Sequence, residues 1–352
     1  MGLERDRHVP HAGHSTGRRG GTAGAWGLGR GLVPRHERAA PGTAEDPRSA
    51  RRRGRGHPRA SDRLGRGPVQ RAAGRRRGRR GPLSFHLLAR RPDMHLPAPT
   101  WTSSWPTGRP VGVWRLRLNA LGGDPEAVLR RLTVPSEHDR ARRYAFAADR
   151  HRHLAGRALV RLVLSRWQNC TPASLAIAEG PHGKPRLQDP PADGPRLHFN
   201  IGHTGPVVVA AVSEAQPVGI DVEPHTRSVD APSLAERVLT ASERDRWRSR
   251  PASCRQAALL HLWTCKEAFL KATGEGLRRA PTTVESIADG STVVALRDAP
   301  GSSAPSSAPA DEWSVRPFSA TDGVLGAIVR KGTMPSPVSW VDATDIVTRS
   351  AE

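Results

Sequence analysis

Two stretches of this sequence place carboxylates where they could bind a divalent cation. Residues 217–223, PVGIDVE, follow the pattern of a buried strand, on which Asp221 and Glu223 share one face because side chains alternate. Residues 259–277, LLHLWTCKEAFLKATGEGL, follow the pattern of an amphipathic helix that carries Glu267 and stops at two glycines. If the helix lies against that face of the strand, three carboxylates converge. Buried carboxylates without a cation are unfavourable, and oxygen-only ligands indicate Mg²⁺ rather than zinc.

The lysines of the chain are few, and two of them lie on the same predicted helix. Only four of the 55 basic side chains are lysines: Lys184, Lys266, Lys271 and Lys331. Where arginine is the default base, a retained lysine indicates a site that requires a compact point charge. Lys271 could form an ordinary surface pair with Glu267, but the apolar neighbours of both residues indicate a half-buried face. Lysines beside a Mg²⁺ site predict a polyphosphate ligand.

Two further segments offer groups that could bind phosphate. In GKPRL, Lys184 stands on backbone that glycine and proline restrict, which suits a contact between charges. Residues 196–213 predict a hairpin with a turn at residues 202–205, where His203, Thr204 and free backbone N–H groups could form a phosphate nest. A lone histidine in a turn is usually only a turn residue, so this interpretation depends on its neighbours.

A long helix is predicted over residues 149–167, with an apolar stripe and a basic opposite face. Arg150, in its first turn, is the candidate for a phosphate contact, whereas most of the other arginines are expected to form a solvated face. The sequence has neither a GxxxxGK[ST] loop nor a GxGxxG motif after a strand. The residues alone therefore predict metal-assisted phosphoryl or phosphodiester transfer without a nucleoside triphosphate cradle.

The positive charge of the chain is concentrated at its front. Residues 1–93 contain 23 arginines, no lysine and 7 acidic residues, which gives +16 of the net charge of +22 and leaves +6 for residues 94–352. This Arg/Gly/Pro-rich segment is expected to be disordered because it has too few apolar residues to form a core. It is interpreted either as an arm that binds nucleic acid or, preferably, as translated sequence upstream of a true start at Met94, since no aromatic residues interleave the basic runs.

No apolar window approaches the length of a membrane-spanning helix, and the front of the chain lacks the apolar core of a signal peptide, so a cytoplasmic location without membrane contact is expected. The three cysteines, Cys170, Cys254 and Cys265, are widely spaced and form no CxxC pair. They indicate neither a disulfide framework nor a zinc site.

From Met94 onward the predicted elements form an α+β chain of two similar halves, residues 94–216 and residues 217–352. Each half is predicted to contain a strand, then helices, then a hairpin, and a ligand would bind where the halves meet. The predicted strands are residues 111–119 and 217–223, and the predicted hairpins are residues 196–213 and 312–330.

The residues between these elements predict helix boundaries and loops. Capping boxes are predicted at Ser136 and Thr240, and Pro251 is expected to break the chain before the central helix. Residues 299–310 predict a flexible loop, and the tail from Lys331 is expected to be irregular.

Four segments resemble signature motifs of the 4′-phosphopantetheinyl transferases. WTCKEAFLKATGEGL is similar to W[ST]xKEAxxKxxGxGL, VGIDVE to (V/I)G(I/V)D(I/V)E, FNIGHTG to FN(L/I)SHS(G), and GKPRL to GKPxL. The length and two-half layout resemble the larger, monomeric type, an intramolecular pseudo-dimer that activates peptide and polyketide synthases. Two departures are Gly202, where the family commonly has serine, and the arginine-rich front segment, which has no counterpart.

The resemblance implies transfer of 4′-phosphopantetheine from coenzyme A to a serine of an apo acyl or peptidyl carrier protein, with release of adenosine 3′,5′-bisphosphate. It implies that Asp221, Glu223 and Glu267 hold Mg²⁺, that Glu267 is the general base, and that Lys271 contacts the pyrophosphate. Coenzyme A would be bound by Arg150, Lys184, His203, Thr204, Lys266 and Lys271.

The partner that the resemblance implies is an acidic carrier-protein domain, with which the modest charge of residues 94–352 is compatible. The expected protein is a monomer that does not bind nucleic acid. The alternative from another class is a basic nucleic-acid-binding protein with a degenerate transferase core, whose retention of RNA would depend on salt and on residues 1–93.

Overall fold

The computed structural model describes residues 96, 98–104, 111–188, 196–290, 292–301 and 313–352. All of them lie in one of the two units into which the chain divides, residues 1–31 with residues 91–352. The expectations for residues 1–93 and for most of the loop at residues 299–310 lie outside the described residues.

The strands are rich in valine, isoleucine and alanine, as expected for sheets buried on both faces. In chain order they are β1 (Val111–Arg117), β2 (Ile177–Glu179), β3 (Pro185–Leu187), β4 (Leu197–Thr204), β5 (Val207–Glu214), β6 (Val218–Pro224), β7 (Val284–Asp289), β8 (Thr292–Asp298), β9 (Trp313–Thr321), β10 (Val324–Lys331) and β11 (Ser339–Asp342).

Two helices, α3 and α6, are long, and the others are short. The helices are α1 (Pro125–Arg131), α2 (Pro135–Arg142), α3 (Ala147–Trp167), α4 (Ala231–Val238), α5 (Ala241–Arg248), α6 (Ala252–Thr273) and α7 (Thr344–Ser350). The capping box at Thr240 is confirmed, and α6 ends as predicted at Gly274, whose φ of 81° is left-handed. The box predicted at Ser136 is wrong, because α2 begins at Pro135 and the Glu137 carboxylate accepts the Val134 N–H.

Two sheets share one connectivity. The first has the strand order β11-β1-β5-β4 and the second β6-β10-β9-β8-β7, while β2 and β3 pair with each other. In the first sheet β1 pairs with β5, and β5 pairs with β4, its partner in the hairpin. In the second sheet β6 pairs with β10, and β10 pairs with β9 in the same way, so the order β1-β5-β4 is repeated as β6-β10-β9. The predicted α+β class is confirmed.

The layers follow helix, sheet, sheet, helix. One core lies between α3 and the first sheet and contains Trp114 and Leu116. A second joins the two sheets and contains the β6 residues Val218, Ile220 and Val222. A third lies between α6 and the second sheet. The alternation predicted for β6 is therefore confirmed, because its apolar face meets the other sheet and leaves the carboxylates on the α6 side.

Three expectations about these elements are wrong. The pairing of β4 with β5 continues to Thr204, so Gly202 and His203 lie on a strand rather than in a turn. The tail from Lys331 is not irregular, since β11 pairs in parallel with β1 and α7 follows it. Most of the other arginines on the basic face of α3 are not solvated, because Arg157 and Arg161 are both buried, and Arg161 Nε donates to Glu137 Oε2 at 2.9 Å.

Candidate active site

The centre of the candidate site is the contact between β6 and α6, which a glycine makes possible. A Cβ atom at Gly219 would lie 2.0 Å from the Ala268 carbonyl oxygen and 2.4 Å from the Ala272 nitrogen. No side chain fits at such distances, so α6 packs directly on the backbone of β6. Glu267 and Lys271 of the helix are thereby brought to the same face as Asp221 of the strand.

Each strand carboxylate has one oxygen atom bound to a protein donor. Lys271 Nζ lies 2.7 Å from Asp221 Oδ1. Glu223 Oε1 accepts a hydrogen bond from Trp263 Nε1 at 3.2 Å and forms an ion pair with Arg227. Within the described residues, the second oxygen of Asp221, Oδ2, has no hydrogen-bond partner although it is buried, and the same is true of Glu267 Oε1.

The carboxylates perturb one another's ionisation. Burial, together with the charge of Asp221, raises the pKa of Glu267 to about 8, and the same two causes raise the pKa of Glu223. Burial opposes the charge of Lys271, but Asp221 and Glu267 outweigh it and raise the pKa of that ammonium group. Burial and mutual repulsion therefore favour the protonated forms of Glu267 and Glu223 when no further cation is present.

The donor chemistry of this cluster fits a hard divalent cation. Asp221, Glu223 and Glu267 offer oxygen atoms only, and two of those atoms are buried without a partner. Among the described residues, however, no three acidic, histidine or cysteine side chains are arranged around one point as the ligands of a bound ion. Lys271 and Arg227 instead occupy oxygen atoms of Asp221 and Glu223.

Strand β4 of the first sheet lies against β6 beside the carboxylates. Asn200 Oδ1 accepts the Ile220 N–H at 3.0 Å in a buried hydrogen bond. A Cβ atom at Gly202 would lie 3.0 Å from the Ile220 carbonyl oxygen and 3.3 Å from Asp221 Cα. The glycine at this position therefore allows the two backbones to approach closely, and it brings His203 next to Lys271.

His203 is a neutral group in this environment. Burial, with smaller contributions from the charges of Lys271 and Arg152, lowers its pKa to about 4. Arg152 NH1 donates to the Gly205 carbonyl oxygen at 3.3 Å, and Arg152 NH2 pairs with Asp149. Thr204 ends β4 and is half-buried.

Arg150 and Arg152 point to different neighbours. Arg150 NH1 donates to the Tyr144 carbonyl oxygen at 3.4 Å, and its charge also lowers the pKa of Glu126 on α1. Of the two arginines, Arg152 is the one that contacts the loop after His203. Arg150, the residue singled out from the sequence, is half-buried and lies two residues before Arg152 on α3.

Lys184 joins the first half of the chain to the second. Its Nζ donates to the Val218 carbonyl oxygen at 3.1 Å and to the Ala272 carbonyl oxygen at 3.0 Å. Burial lowers the pKa of this lysine to about 7. The ammonium group thus binds the start of β6 and the last turn of α6 rather than an acidic side chain.

Lys266 does not reach the carboxylate cluster. Its side chain is fully buried, and Nζ donates to the Val238 carbonyl oxygen at 2.8 Å, to the Pro281 carbonyl oxygen at 3.1 Å and to Glu243 Oε2 at 2.5 Å. The three N–H donors of the Lys266 ammonium group thus bind three acceptors within the protein. The compact charge predicted from the sequence therefore binds groups of the protein itself. The expected contact of Lys266 with coenzyme A is incompatible with this position.

Two family models match adjacent parts of this chain. One, described as the 4′-phosphopantetheinyl transferase superfamily, matches residues 217–315, and the other, described as 4′-phosphopantetheinyl transferase, N-terminal, matches residues 126–215. The 4′-phosphopantetheinyl transferase HetI of Nostoc sp. is 34% identical over 172 residues, which are 48% of this chain and 70% of that protein. The chain belongs to the 4′-phosphopantetheinyl transferase superfamily.

Two further relatives match shorter stretches. The 4′-phosphopantetheinyl transferase Sfp of Bacillus subtilis is 33% identical over 143 residues, 41% of this chain and 61% of that protein. The 4′-phosphopantetheinyl transferase psf-1 of Bacillus pumilus is 36% identical over 137 residues, 39% of this chain and 56% of that protein. The chain thus spans somewhat over half the length of these two relatives.

The predicted family, its larger type and the enzyme class are confirmed by these similarities, and none of them supports the nucleic-acid-binding alternative. Among the described residues, no helix combines the length and apolar character needed to cross a membrane.

Three residues of this phosphopantetheinyl transferase site were not predicted from the sequence: Arg227, Trp263 and Arg152. Arg227 comes after the strand motif, where nothing in the spacing of charges indicates that its side chain returns to Glu223. Trp263 belongs to the helix motif but was interpreted only as an apolar neighbour, and its position four residues before Glu267 was the available signal.

Proposed function

We propose that this chain transfers the 4′-phosphopantetheine group of coenzyme A to a serine hydroxyl of an apo acyl or peptidyl carrier protein, in a reaction that requires Mg²⁺. The observation that carries the proposal is the pair of buried, unpartnered carboxylate oxygens, Asp221 Oδ2 and Glu267 Oε1, beside Lys271. Oxygen atoms left in this state are rare in folded proteins and indicate a missing partner. A cation bound to a pyrophosphate would be such a partner.

The two halves of the chain, residues 94–216 and 217–352, are proposed to form an intramolecular pseudo-dimer. The repeated strand order β1-β5-β4 and β6-β10-β9 supports this organisation, and so does the face-to-face packing of the two sheets. One chain would then contain both walls of the site, so a monomer is the expected active form.

Asp221, Glu223 and Glu267 would hold the Mg²⁺ ion, whose contribution when bound is to neutralise charge on the pyrophosphate. Lys271 would contact the same pyrophosphate from α6. On the side of β4, the phosphates of the nucleotide would be bound by His203, Thr204 and Arg152. Arg150, nearer the start of α3, would contribute a further positive charge. A phosphate there would raise the pKa of His203, because the anion favours the charged imidazolium form.

In the reaction, the serine hydroxyl oxygen would form a bond to the phosphorus that carries pantetheine, and the bond from that phosphorus to the bridging oxygen would break. The serine proton would move to a carboxylate oxygen of Glu267, which a bound cation would keep in the ionised form that accepts a proton. The electron pair of the broken bond would remain on adenosine 3′,5′-bisphosphate, which leaves as an anion.

The test is labelling of apo carrier proteins by a fluorescent coenzyme A analogue with and without Mg²⁺. The wild-type protein should label at least one acyl or peptidyl carrier, and EDTA should abolish labelling. Glu267→Gln should reduce the rate about 10²–10³-fold, because the charge that accepts the proton is lost. Arg142→Gln, in an exposed surface pair with Asp139 on α2, is the control and should label like wild type. Equal rates for Glu267→Gln and wild type would contradict the proposal.

A further inference from the structure

Arg227 reaches the carboxylate cluster from the loop between β6 and α4. The backbone of this loop is held on both sides of the site. The His225 N–H donates to the Gly323 carbonyl oxygen at 2.8 Å, the Arg227 N–H donates to the Pro224 carbonyl oxygen at 3.1 Å, and Gln256 Nε2 donates to the Arg227 carbonyl oxygen at 3.0 Å. These hydrogen bonds fix the main chain from which the Arg227 side chain extends to Glu223.

The ion pair of Arg227 with Glu223 is largely withdrawn from water. The Glu223 side chain is 11% exposed and that of Arg227 is 23% exposed. The guanidinium group shares Glu223 Oε1 with Trp263 Nε1, so this oxygen is fully engaged. A cation that approached Glu223 would meet a positive charge already bound to the same carboxylate.

The position of Arg227 differs from that of Lys271 in its relation to the proposed reaction. Lys271 lies on α6 between Asp221 and Glu267 and would contact the substrate. Arg227 contacts Glu223 alone among the three carboxylates, and it lies outside the four motifs that define the family resemblance. Its guanidinium group is bound to Glu223 Oε1 and so places a positive charge beside a group of three carboxylates.

We propose that Arg227 is a placeholder cation, a positioning residue that stabilises the carboxylate cluster when no metal is bound and competes with the divalent cation for Glu223. This inference rests on the proposed metal-dependent function. It requires a trade-off: the charge that stabilises the metal-free protein weakens binding of the metal. A purely structural arginine would change stability by the same amount with and without metal, and an arginine that oriented Glu223 for the metal would strengthen metal binding.

The experiment measures urea unfolding of wild type, Arg227→Gln and Arg227→Lys, each in EDTA and in a series of Mn²⁺ concentrations, with no coenzyme A present. Binding of Mn²⁺ to the folded state stabilises it by an amount that grows with the logarithm of one plus the Mn²⁺ concentration divided by the dissociation constant, so the series gives that constant without any activity assay. Arg227→Gln should be less stable than wild type in EDTA, and its Mn²⁺ dissociation constant should be about tenfold lower. Arg227→Lys retains the charge and should remain closer to wild type in both respects.

The control is Arg142→Gln, which also removes the arginine of an ion pair within one helix, here with Asp139 of α2, where both side chains are more than half exposed. Its Mn²⁺ dissociation constant should equal that of wild type. If Arg227→Gln does not fold in EDTA, saturating Mn²⁺ should restore folding, and failure to do so overturns the inference. An Arg227→Gln protein that binds Mn²⁺ as wild type does, or more weakly, also overturns it while leaving the proposed function intact. A wild type that binds no Mn²⁺ without coenzyme A would overturn the inference alone, because the proposed function allows the cation to enter with the pyrophosphate and is tested by carrier labelling.

Discussion

The two halves of this protein share one strand order but carry different kinds of side chain at equivalent positions of their first strands. Val111-Gly112-Val113-Trp114 of β1 corresponds to residues 218–221 of β6, since Trp114 pairs with Ala210 and Asp221 pairs with Ala327 in sheets of one connectivity. In β1 the glycine leaves room for the Trp114 ring, which a Cβ atom would approach to 2.4 Å. In β6 the equivalent Gly219 leaves room for the backbone of α6 instead.

At these equivalent strand positions the first half supplies apolar packing and the second half supplies reactive groups, although β4 of the first half also borders the site. Trp114 and Leu116 point towards α3 and belong to the largest apolar core. At the equivalent positions Asp221 and Glu223 point towards α6 and carry charges that are only partly compensated. A core position given to a buried carboxylate lowers stability, and this is typical of functional sites.

The most direct test of this comparison is to substitute the equivalent residues Trp114 and Asp221. Trp114→Ala should lower the free energy of unfolding by about 4 kcal/mol, because it leaves a large cavity in a core without exposure to water. Asp221→Asn should change it by less than about 1 kcal/mol, since loss of the Asp221 charge relieves repulsion and allows Glu267 to ionise as a counter-charge to Lys271. Carrier labelling should fall about 10²–10³-fold in Asp221→Asn.

Urea unfolding and labelling per folded molecule measure these two effects separately. If Asp221→Asn proved the more destabilising change and retained labelling, the assignment of structural and reactive halves would be reversed.

The next comparison uses the two glycines. Gly219→Ala places its Cβ against the main chain of α6 and should destabilise the protein by about 3 kcal/mol, because a whole helix must shift. Gly112→Ala meets only the Trp114 side chain and should cost about 2 kcal/mol. Only Gly219→Ala should also reduce labelling, since displacement of α6 moves Glu267 away from Asp221. Loss of labelling in folded Gly112→Ala would show that the halves are not functionally distinct.

The sequence was sufficient for the elements whose pattern is local. The alternation in PVGIDVE and the glycines after residue 273 predicted the face of β6 and the end of α6, because strand geometry and helix termination depend on neighbouring residues. The α+β class and the repeated connectivity also followed from the order of such patterns.

The features that could not be predicted depend on contacts between residues far apart in the sequence. Lys266 and Lys271 lie five residues apart on one helix, and nothing local shows that the first meets Glu243 while the second meets Asp221. Strand β11 consists of four residues and is a strand only because β1 offers it an edge from more than two hundred residues earlier. Arg152 was missed in favour of Arg150 because the choice depends on where β4 ends.

The ionisation of Glu267 provides a third test, confined to the second half. Burial and Asp221 raise its folded pKa to about 8 from an ordinary value of 4.5, so the metal-free folded state binds more protons than the unfolded state between these values. Stability should therefore fall as pH rises through this range, by at most about 1.4 kcal/mol per pH unit. Urea unfolding in EDTA from pH 5 to pH 8 should show this slope in wild type and a weaker slope in Glu267→Gln. Equal slopes would show that Glu267 is not the group that titrates.

The smallest expected effect concerns Lys184, which connects the halves that the other predictions separate. Lys184→Met should lower the free energy of unfolding by about 1 kcal/mol at pH 7, because the carbonyl oxygens of Val218 and Ala272 lose their donor. The folded pKa of this lysine, about 7, lies below its ordinary value of 10.5, so the unfolded state binds the extra proton and wild-type stability should rise with pH between these values. Lys184→Met should lack that rise. A variant that keeps wild-type stability but binds coenzyme A more weakly would instead support the sequence-based expectation that Lys184 contacts a phosphate, and the link between the halves would then depend on their sheets alone.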